Sequence, residues 1–396
     1  MKLELVATAT FGLEAVVRRE IEALGYRIIK TEDGRVTYMG DERAIAKSNL
    51  WLRCADRVYI RMGGFQATDF EQLFQQTKAI EWESIIPLEG AFPVVGGSVK
   101  SALHSVPACQ KIIKKAVSMR LSEFYCRETM PETGAEYRIR FMAHKDEFLL
   151  MIDTSGAGLH KRGYRVRDVA APMKETLAAA LVQLSFYKKD RILVDPCCGS
   201  GTIPIEAALI ARNIAPGLGR SFASENWDIM GAGVWKEERR LAYEAADFGA
   251  DGDDGPLRIT AMDIDPRAVA AARANADEAG AAEDIDIVRM DMTAWEPGAG
   301  IPKGAGKDDH VVVISNLPYG KRVGDDTGIK AIYSHIRGMM DSCPNWSFFL
   351  ITSDKSLEKE LGRKADRRRK LYNGTIETQF YQFHGSRPMK REVNHD

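Results

Sequence analysis

The chain has 396 residues, 45% hydrophobic and 28% charged, with a formal net charge of −1. This is the balance of an ordinary globular protein long enough for two or three domains; it excludes a globally basic nucleic-acid coat, and no apolar stretch reaches membrane-spanning length. The six cysteines (54, 109, 126, 197, 198 and 343) contain no Cys-x-x-Cys pair, which argues against a zinc ribbon and predicts reduced thiols in a cytoplasmic protein with no metal site.

Residues 2–8 alternate as a strand does, and residues 12–24 place Leu13, Val17, Ile21 and Leu24 on one helical face, closed by Gly25. Strand-like runs follow at 57–62, 92–96, 137–143 and 147–153, the last two joined by a hairpin turn at "HKDE". Helical runs lie between them at 42–52, 69–79 and 107–125. Residues 1–155 therefore predict an α+β layer. The Gly-rich, basic tract "TSGAGLHKRGYRVRDVAAP" reads as a linker or hinge, placed at 156–170. From residue 171 the pattern changes. Solidly apolar strands at 191–195, 257–262, 285–288, 311–315 and 346–352 are separated by helices at 173–186, 203–213, 236–248, 266–280 and 328–341. Strands buried on both faces and separated by helices predict a parallel α/β sheet of Rossmann type. Asn373-Gly374 between two further runs predicts a terminal antiparallel hairpin.

"LVDPCCGSGTIPIEAALIAR" (193–212) is a strand, a Gly-rich turn and a helix. Gly199 and Gly201 let the backbone approach a ligand, and Pro204 fits the first helical turn. A dinucleotide site would carry a third glycine at 204 and an acidic residue about 20 positions on; here position 204 is Pro and the next candidate acid, Asp263, lies 62 positions after Gly201. A ligand without a pyrophosphate fits better, with Asp195 facing its polar or cationic end. Asp263, with Asp265 second, can accept both hydroxyls of a ribose at the next strand end; capping of the following helix is the plain alternative for Asp265. Asp291 can accept from an adenine amine, and Met292 can pack on the ring.

"DPCCGSGTIPIE" (195–206), "RNIAPGLGRSFASENW" (212–227) and "APMKETLAAALV" (171–182) resemble the THUMP-containing RNA guanine-N2 methyltransferases, within the class I S-adenosylmethionine-dependent fold. Cys197 stands where the family usually has a bulkier apolar residue. The resemblance runs over nearly the whole chain and is strongest to the branch acting on large-subunit ribosomal RNA. It implies a ferredoxin-like segment merging into a THUMP domain over 1–155 and a methyltransferase domain over 171–396. It also implies S-adenosyl-L-methionine contacts from Asp195, Pro196, Gly199, Gly201, Thr202, Asp263, Ile264, Asp291, Met292 and Asn316, and methylation of guanine N2 in 23S rRNA. A tRNA guanine-N2 enzyme, an adenine-N6 enzyme and a non-catalytic RNA-binding protein are the other readings.

"NLPYG" (316–320) follows the fourth of these strands and is similar to the Asn/Asp-Pro-Pro-Tyr motif of amino methyltransferases, with Leu317 in place of the first proline. An exocyclic amine is a poor nucleophile because its lone pair is delocalised into the ring. Asn316 Oδ1 and the Leu317 carbonyl can accept its two N–H bonds and free that lone pair, with Pro318 fixing the loop and Tyr319 stacking on the flipped base. The basic excess is local: seven basic against three acidic residues over 156–190, and nine against two over 363–391. Lys161, Arg162, Arg165, Arg367, Arg368 and Arg369 are the candidate phosphate contacts, with Lys321 and Arg322 beside the catalytic loop. Lys111, Lys114, Lys115 and Arg120 add a basic helical face.

Overall fold

The computed structural model describes residues 1–168, 173–248, 257–296, 306, 308–318 and 326–386. Packing divides the chain into two units. The first gathers Met1–Ala9, Val17–Leu159 and Gly217–Tyr243; the second gathers Thr10–Val16, His160–Pro216 and Glu244–Asp396.

The first unit starts with β1 (Leu3–Ala9), most of α1 (Glu14–Ala23), β2 (Ile28–Glu32), β3 (Arg35–Gly40), α2 (Glu42–Trp51) and β4 (Ala55–Gln66). It continues with α3 (Phe70–Lys78), β5 (Val94–Val99), α4 (Val106–Tyr125), β6 (Ile139–His144) and β7 (Glu147–Asp153). The strands form one seven-stranded sheet in the order β2-β3-β1-β4-β7-β6-β5, antiparallel except for the β5–β6 pair. The Asp41 and Asp69 side chains cap α2 and α3 by accepting from Ala44 and Gln72 N–H. Lys145 and Asp146 both take positive φ between β6 and β7, as a tight two-residue hairpin requires. The β2–β3 hairpin departs from the sequence expectation. The three middle residues of β2 are exposed, so its apolar alternation is absent, although Asp33-Gly34 is a hairpin signal in the sequence.

A buried polar network closes the middle of this unit. Asn49, 1% exposed, donates through Nδ2 to Ile45 O and Thr154 Oγ1, both at 2.9 Å. Its Oδ1 accepts from Ser155 Oγ at 2.6 Å, Ser155 Oγ accepts from Val58 N–H, and Thr154 Oγ1 donates to Val58 O.

In the second unit α5 (Glu175–Leu184), β8 (Ile192–Asp195) and α6 (Thr202–Ala211) come first. The chain then returns to the first unit for residues 217–243, which hold most of α7 (Val234–Glu244). There Trp227 stacks on Tyr137, centroids 4.6 Å apart, and donates to Glu136 O. Ser224 bonds Thr154 O, and Arg43 pairs with Glu238. The second unit resumes with β9 (Ile259–Asp263), α8 (Pro266–Glu278), β10 (Ile285–Arg289), β11 (Val311–Asn316) and α9 (Asp326–Ser342). It ends with β12 (Ser347–Thr352), α10 (Leu357–Leu361), β13 (Arg367–Asn373) and β14 (Ile376–Phe383). The order is β10-β9-β8-β11-β12-β14-β13, parallel through β12, with β14 and β13 antiparallel. The expected Rossmann-type sheet with a terminal hairpin is therefore present, and the turn of that hairpin uses Gly374 at φ +64°. Ile192, Val194, Val313, Phe348 and Leu350 are buried in its core beside Tyr333 and Ile336 of α9.

The tract expected as a linker is packed where it is described. Leu159, Arg162 and Tyr164 are 1%, 5% and 5% exposed. Arg162 and Tyr164 meet the Glu206 carboxylate, more than forty positions along the chain, a pairing that local composition does not reveal. The acidic loop at 251–255 lies outside the described residues.

Candidate active site

Four neighbouring parallel strands, β10, β9, β8 and β11, present their C-terminal ends along one edge of the second sheet. Ligands bind at that edge in such sheets. Asp195 ends β8, Asp263 ends β9, Asp291 follows β10 and Asn316 ends β11.

Asp195 is 1% exposed. Its Oδ1 accepts from Ser315 Oγ at 2.8 Å and from Cys197 N–H at 3.2 Å. Burial pushes its carboxyl up to about 7, the two hydrogen bonds pull it down, and the Asp263 charge adds to the rise. Pro196 leads into the glycine turn. Cys198 N–H donates to Met262 O at 2.8 Å and Gly201 N–H to Cys198 O at 2.9 Å. Gly201 takes φ +79°, and a Cβ there would stand 3.1 Å from that of Ala272, so glycine is required by both conformation and space. Thr202 begins α6. Burial and the nearby Asp195 and Asp263 carboxylates push the Cys197 and Cys198 thiols up, so neither supplies a thiolate nucleophile.

Asp263 braces the turn from the neighbouring strand. Its Oδ2 accepts from Gly199 N–H and its Oδ1 from Asp265 N–H, both at 2.9 Å. Asp265 caps α8 instead of facing the strand ends: it accepts from Arg267 N–H and pairs with the Arg267 guanidinium. Ile264 between them is 60% exposed, an apolar side chain at the site's edge. Asp291 is exposed and accepts from Thr293 N–H and Oγ1, while Met292 is buried with its sulfur 3.5 Å from Cys197 Sγ.

Asn316 Oδ1 is buried and has no hydrogen-bond partner among the described residues. A buried acceptor left open costs stability unless something uses it. Leu317 is fully buried in the core of the unit, and its N–H donates to Ile351 O at 3.1 Å. A proline could not make that bond, which accounts for the departure from a double-proline motif. Pro318 is half-buried. Tyr319, Lys321 and Arg322 lie outside the described residues.

The candidate phosphate contacts divide. Lys161, Arg367 and Arg368 are exposed and Arg369 is half-buried; Arg368 pairs with Glu358 at 3.0 Å. Arg162 differs from expectation: it is interior, against Glu206 at 3.4 Å, and Glu206 also accepts from Tyr164 OH. Arg165 is likewise held inside, donating to Glu175, Ser200 Oγ, Met173 O and Thr202 Oγ1. It ties the preceding segment to the glycine turn. Asn275 of α8 does the same, accepting from Val166 and Arg167 N–H and donating to Ser200 O. Neither role is legible locally, because the partners lie up to 109 positions away. On the basic face of α4, Lys114 pairs with Glu132 and Arg120 with Glu83.

Comparison with known proteins agrees with this architecture. Residues 162–382 match the RMKL-like methyltransferase domain, residues 4–59 the RlmL ferredoxin-like domain and residues 67–153 the THUMP domain. The chain is 44% identical over 395 residues, 99% of each chain, to a Bacillus subtilis protein named "Putative RNA methyltransferase YpsC". It is 29% identical over 94% of its length to the ribosomal RNA large subunit methyltransferase K/L of Cellvibrio japonicus, and spans about 50% of that longer protein. Among solved structures, a Listeria monocytogenes protein described as a predicted N6-adenine-specific DNA methylase is 46% identical, with a TM-score of 0.88 and coverage of 98% of this chain and 97% of that one. SMU.472, solved in complex with SAH, is 42% identical, with a TM-score of 0.89 and coverage of 98% and 99%. The chain belongs to the RMKL-like methyltransferase family, joined to RlmL ferredoxin-like and THUMP domains.

Proposed function

We propose that this chain methylates the exocyclic N2 amine of a guanine in RNA, with large-subunit ribosomal RNA as the first candidate substrate and S-adenosylmethionine as methyl donor. The observation that carries this reading is the buried acceptor at Asn316 Oδ1, open among the described residues, beside three carboxylates on adjoining strand ends.

The residues present suit that cofactor better than a dinucleotide. Gly199 N–H is spent on Asp263 and Gly201 N–H on Cys198 O, so neither faces a pyrophosphate. The groups at the strand ends are acceptors, which suits a ligand carrying hydroxyls, amines and a positive charge. Asp263 would take the ribose hydroxyls, Asp291 and Met292 the adenine, and Asp195 the cationic end. When bound, S-adenosylmethionine supplies an electrophilic methyl group on a sulfonium. Asn316 Oδ1 and the Leu317 carbonyl would accept the two N–H bonds of the target amine and draw its lone pair out of conjugation. No strong base is needed, because the nitrogen proton becomes acidic on methylation and passes to water. Rate enhancement then comes from orientation and fixed dipoles. RNA as substrate is supported by the THUMP match and by the names of the Bacillus and Cellvibrio relatives.

The description of the Listeria structure favours a second reading, adenine N6; two acceptors on an amine would serve either base. Nucleoside mass spectrometry of rRNA and tRNA from a strain lacking the protein decides between them. Loss of N2-methylguanosine from 23S rRNA is expected. Loss confined to tRNA would move the substrate, and loss of N6-methyladenosine would replace guanine with adenine.

A further inference from the structure

Residues 10–16 belong by packing to the second unit, where they meet β13, the edge strand of the sheet. Phe11 is 49% exposed, yet its ring meets Tyr372 edge-on, centroids 6.3 Å apart and planes at 74°. Gly12 beside it lies directly on the strand backbone. Its φ is +90°, and a Cβ there would stand 2.8 Å from Lys370 O and 3.1 Å from Leu371 Cδ2. Only glycine permits that approach in that conformation. The loop thus presses a solvent-facing aromatic ring against a basic strand.

Side chains alternate along a strand, so Arg368, Lys370 and Tyr372 share one face of β13. Lys370 Nζ sits 5.5 Å from the Tyr372 ring centroid. Glu377 pairs with Lys370 at 2.7 Å and Glu358 with Arg368 at 3.0 Å. Basic residues on an edge strand have a plain structural use, since they discourage pairing with another strand. That use requires no half-exposed phenylalanine held against the strand by a glycine. Aromatic faces interleaved with cations are the usual platform for single-stranded nucleic acid, where bases stack and phosphates follow the positive charges.

We propose that Phe11, Tyr372 and the basic residues of β13 form a docking platform for a single-stranded segment of the substrate RNA. Bases stack on Phe11 and Tyr372, while Arg368 and Lys370 on the same face of β13 accompany the backbone. The inference rests on RNA being the substrate. The test is fluorescence anisotropy of the full chain with a labelled oligouridylate of about 12 nucleotides, within the range of single-strand sites, and with an RNA duplex. Phe11→Ala, an exposed position, should weaken oligouridylate binding roughly tenfold with the salt dependence unchanged. Arg368→Ala with Lys370→Ala should instead flatten the salt dependence, by about 0.7 in log–log slope for each phosphate no longer neutralised. Unchanged affinity in Phe11→Ala, an equal loss on duplex RNA, or no wild-type affinity for the oligonucleotide overturns the platform. Methyl transfer and SAH binding, measured in parallel, keep the two proposals apart. Wild-type protein that binds through Phe11 but methylates no RNA removes the catalytic reading alone. Protein that methylates rRNA while Phe11→Ala binds normally removes the platform alone.

Discussion

Two asparagines, buried Asn49 in the first unit and half-buried Asn316 in the second, have their amides treated in opposite ways. Asn49 in the first unit has both ends of its amide bonded, to Ile45, Thr154 and Ser155. Asn316 in the second leaves Oδ1 buried and open among the described residues. A satisfied buried amide fixes how elements meet. An unsatisfied one costs stability and persists where a ligand group completes it. The first sheet therefore spends its interior polarity on its own geometry, and the second holds some in reserve at one edge.

Exchanging the two roles for alanine should break this symmetry most sharply. Asn316→Ala should lower single-turnover methyl transfer by roughly two to three orders of magnitude, the scale for deleting one preorganised hydrogen-bonding group. Its affinity for cofactor and RNA should hold, and its melting temperature should stay level or rise, because a buried open acceptor is removed. Asn49→Ala should do the reverse. It strands Ser155 and Thr154, costs about 1–3 kcal/mol in denaturant unfolding, and leaves turnover per folded molecule unchanged. An Asn316→Ala enzyme at wild-type rate would reduce that residue to a strand end.

A smaller effect sharpens the contrast within the second unit. Arg165 gives its guanidinium to four acceptors around the glycine turn. Arg165→Lys keeps the charge but cannot reproduce a planar fork. It should weaken SAH binding by roughly tenfold in calorimetry, on the scale of one lost charged hydrogen bond, while a salt titration of RNA binding keeps its slope. A flattened slope with normal SAH affinity would make Arg165 a phosphate contact after all.

The smallest effect concerns Asp195. Its folded carboxyl titrates at about 7, against roughly 4 when unfolded. Between these values the folded chain binds the extra proton, so the Asp195 contribution to stability falls as pH rises from about 4 to 7. Asp195→Asn removes this slope. Melting temperatures taken from pH 5 to pH 8 should show the wild type losing ground to the variant as pH rises; parallel curves would mean the carboxyl is ionised throughout.

Much of this is readable from sequence where burial is two-sided. β8, β9, β11 and β12 are apolar runs because they are buried along nearly their whole length, and Asp195 and Asp263 stand out as carboxylates closing the first two of them. β2 escapes because its exposed middle residues break the alternation, and α10 because it has only five residues. Arg162 and Arg165 look like surface cations because their partners, Glu206 and Glu175, are recognisable only once the chain has folded. Asp263 and Asp265 cannot be separated by position alone. The structure gives the helix cap to Asp265 and the glycine turn to Asp263.

The return of residues 217–243 to the first unit has a consequence for how the protein is made. Trp227, Phe222 and Trp235 are buried there, so the unit lacks part of its own interior until residue 243 has left the ribosome. At ordinary synthesis rates that delay after residue 159 is on the order of ten seconds. During it the nascent chain must carry an unfinished apolar surface while the first strand and helix of the second sheet emerge. The same threading means that cutting the gene between residues 155 and 171 would separate a core from the tryptophans that complete it.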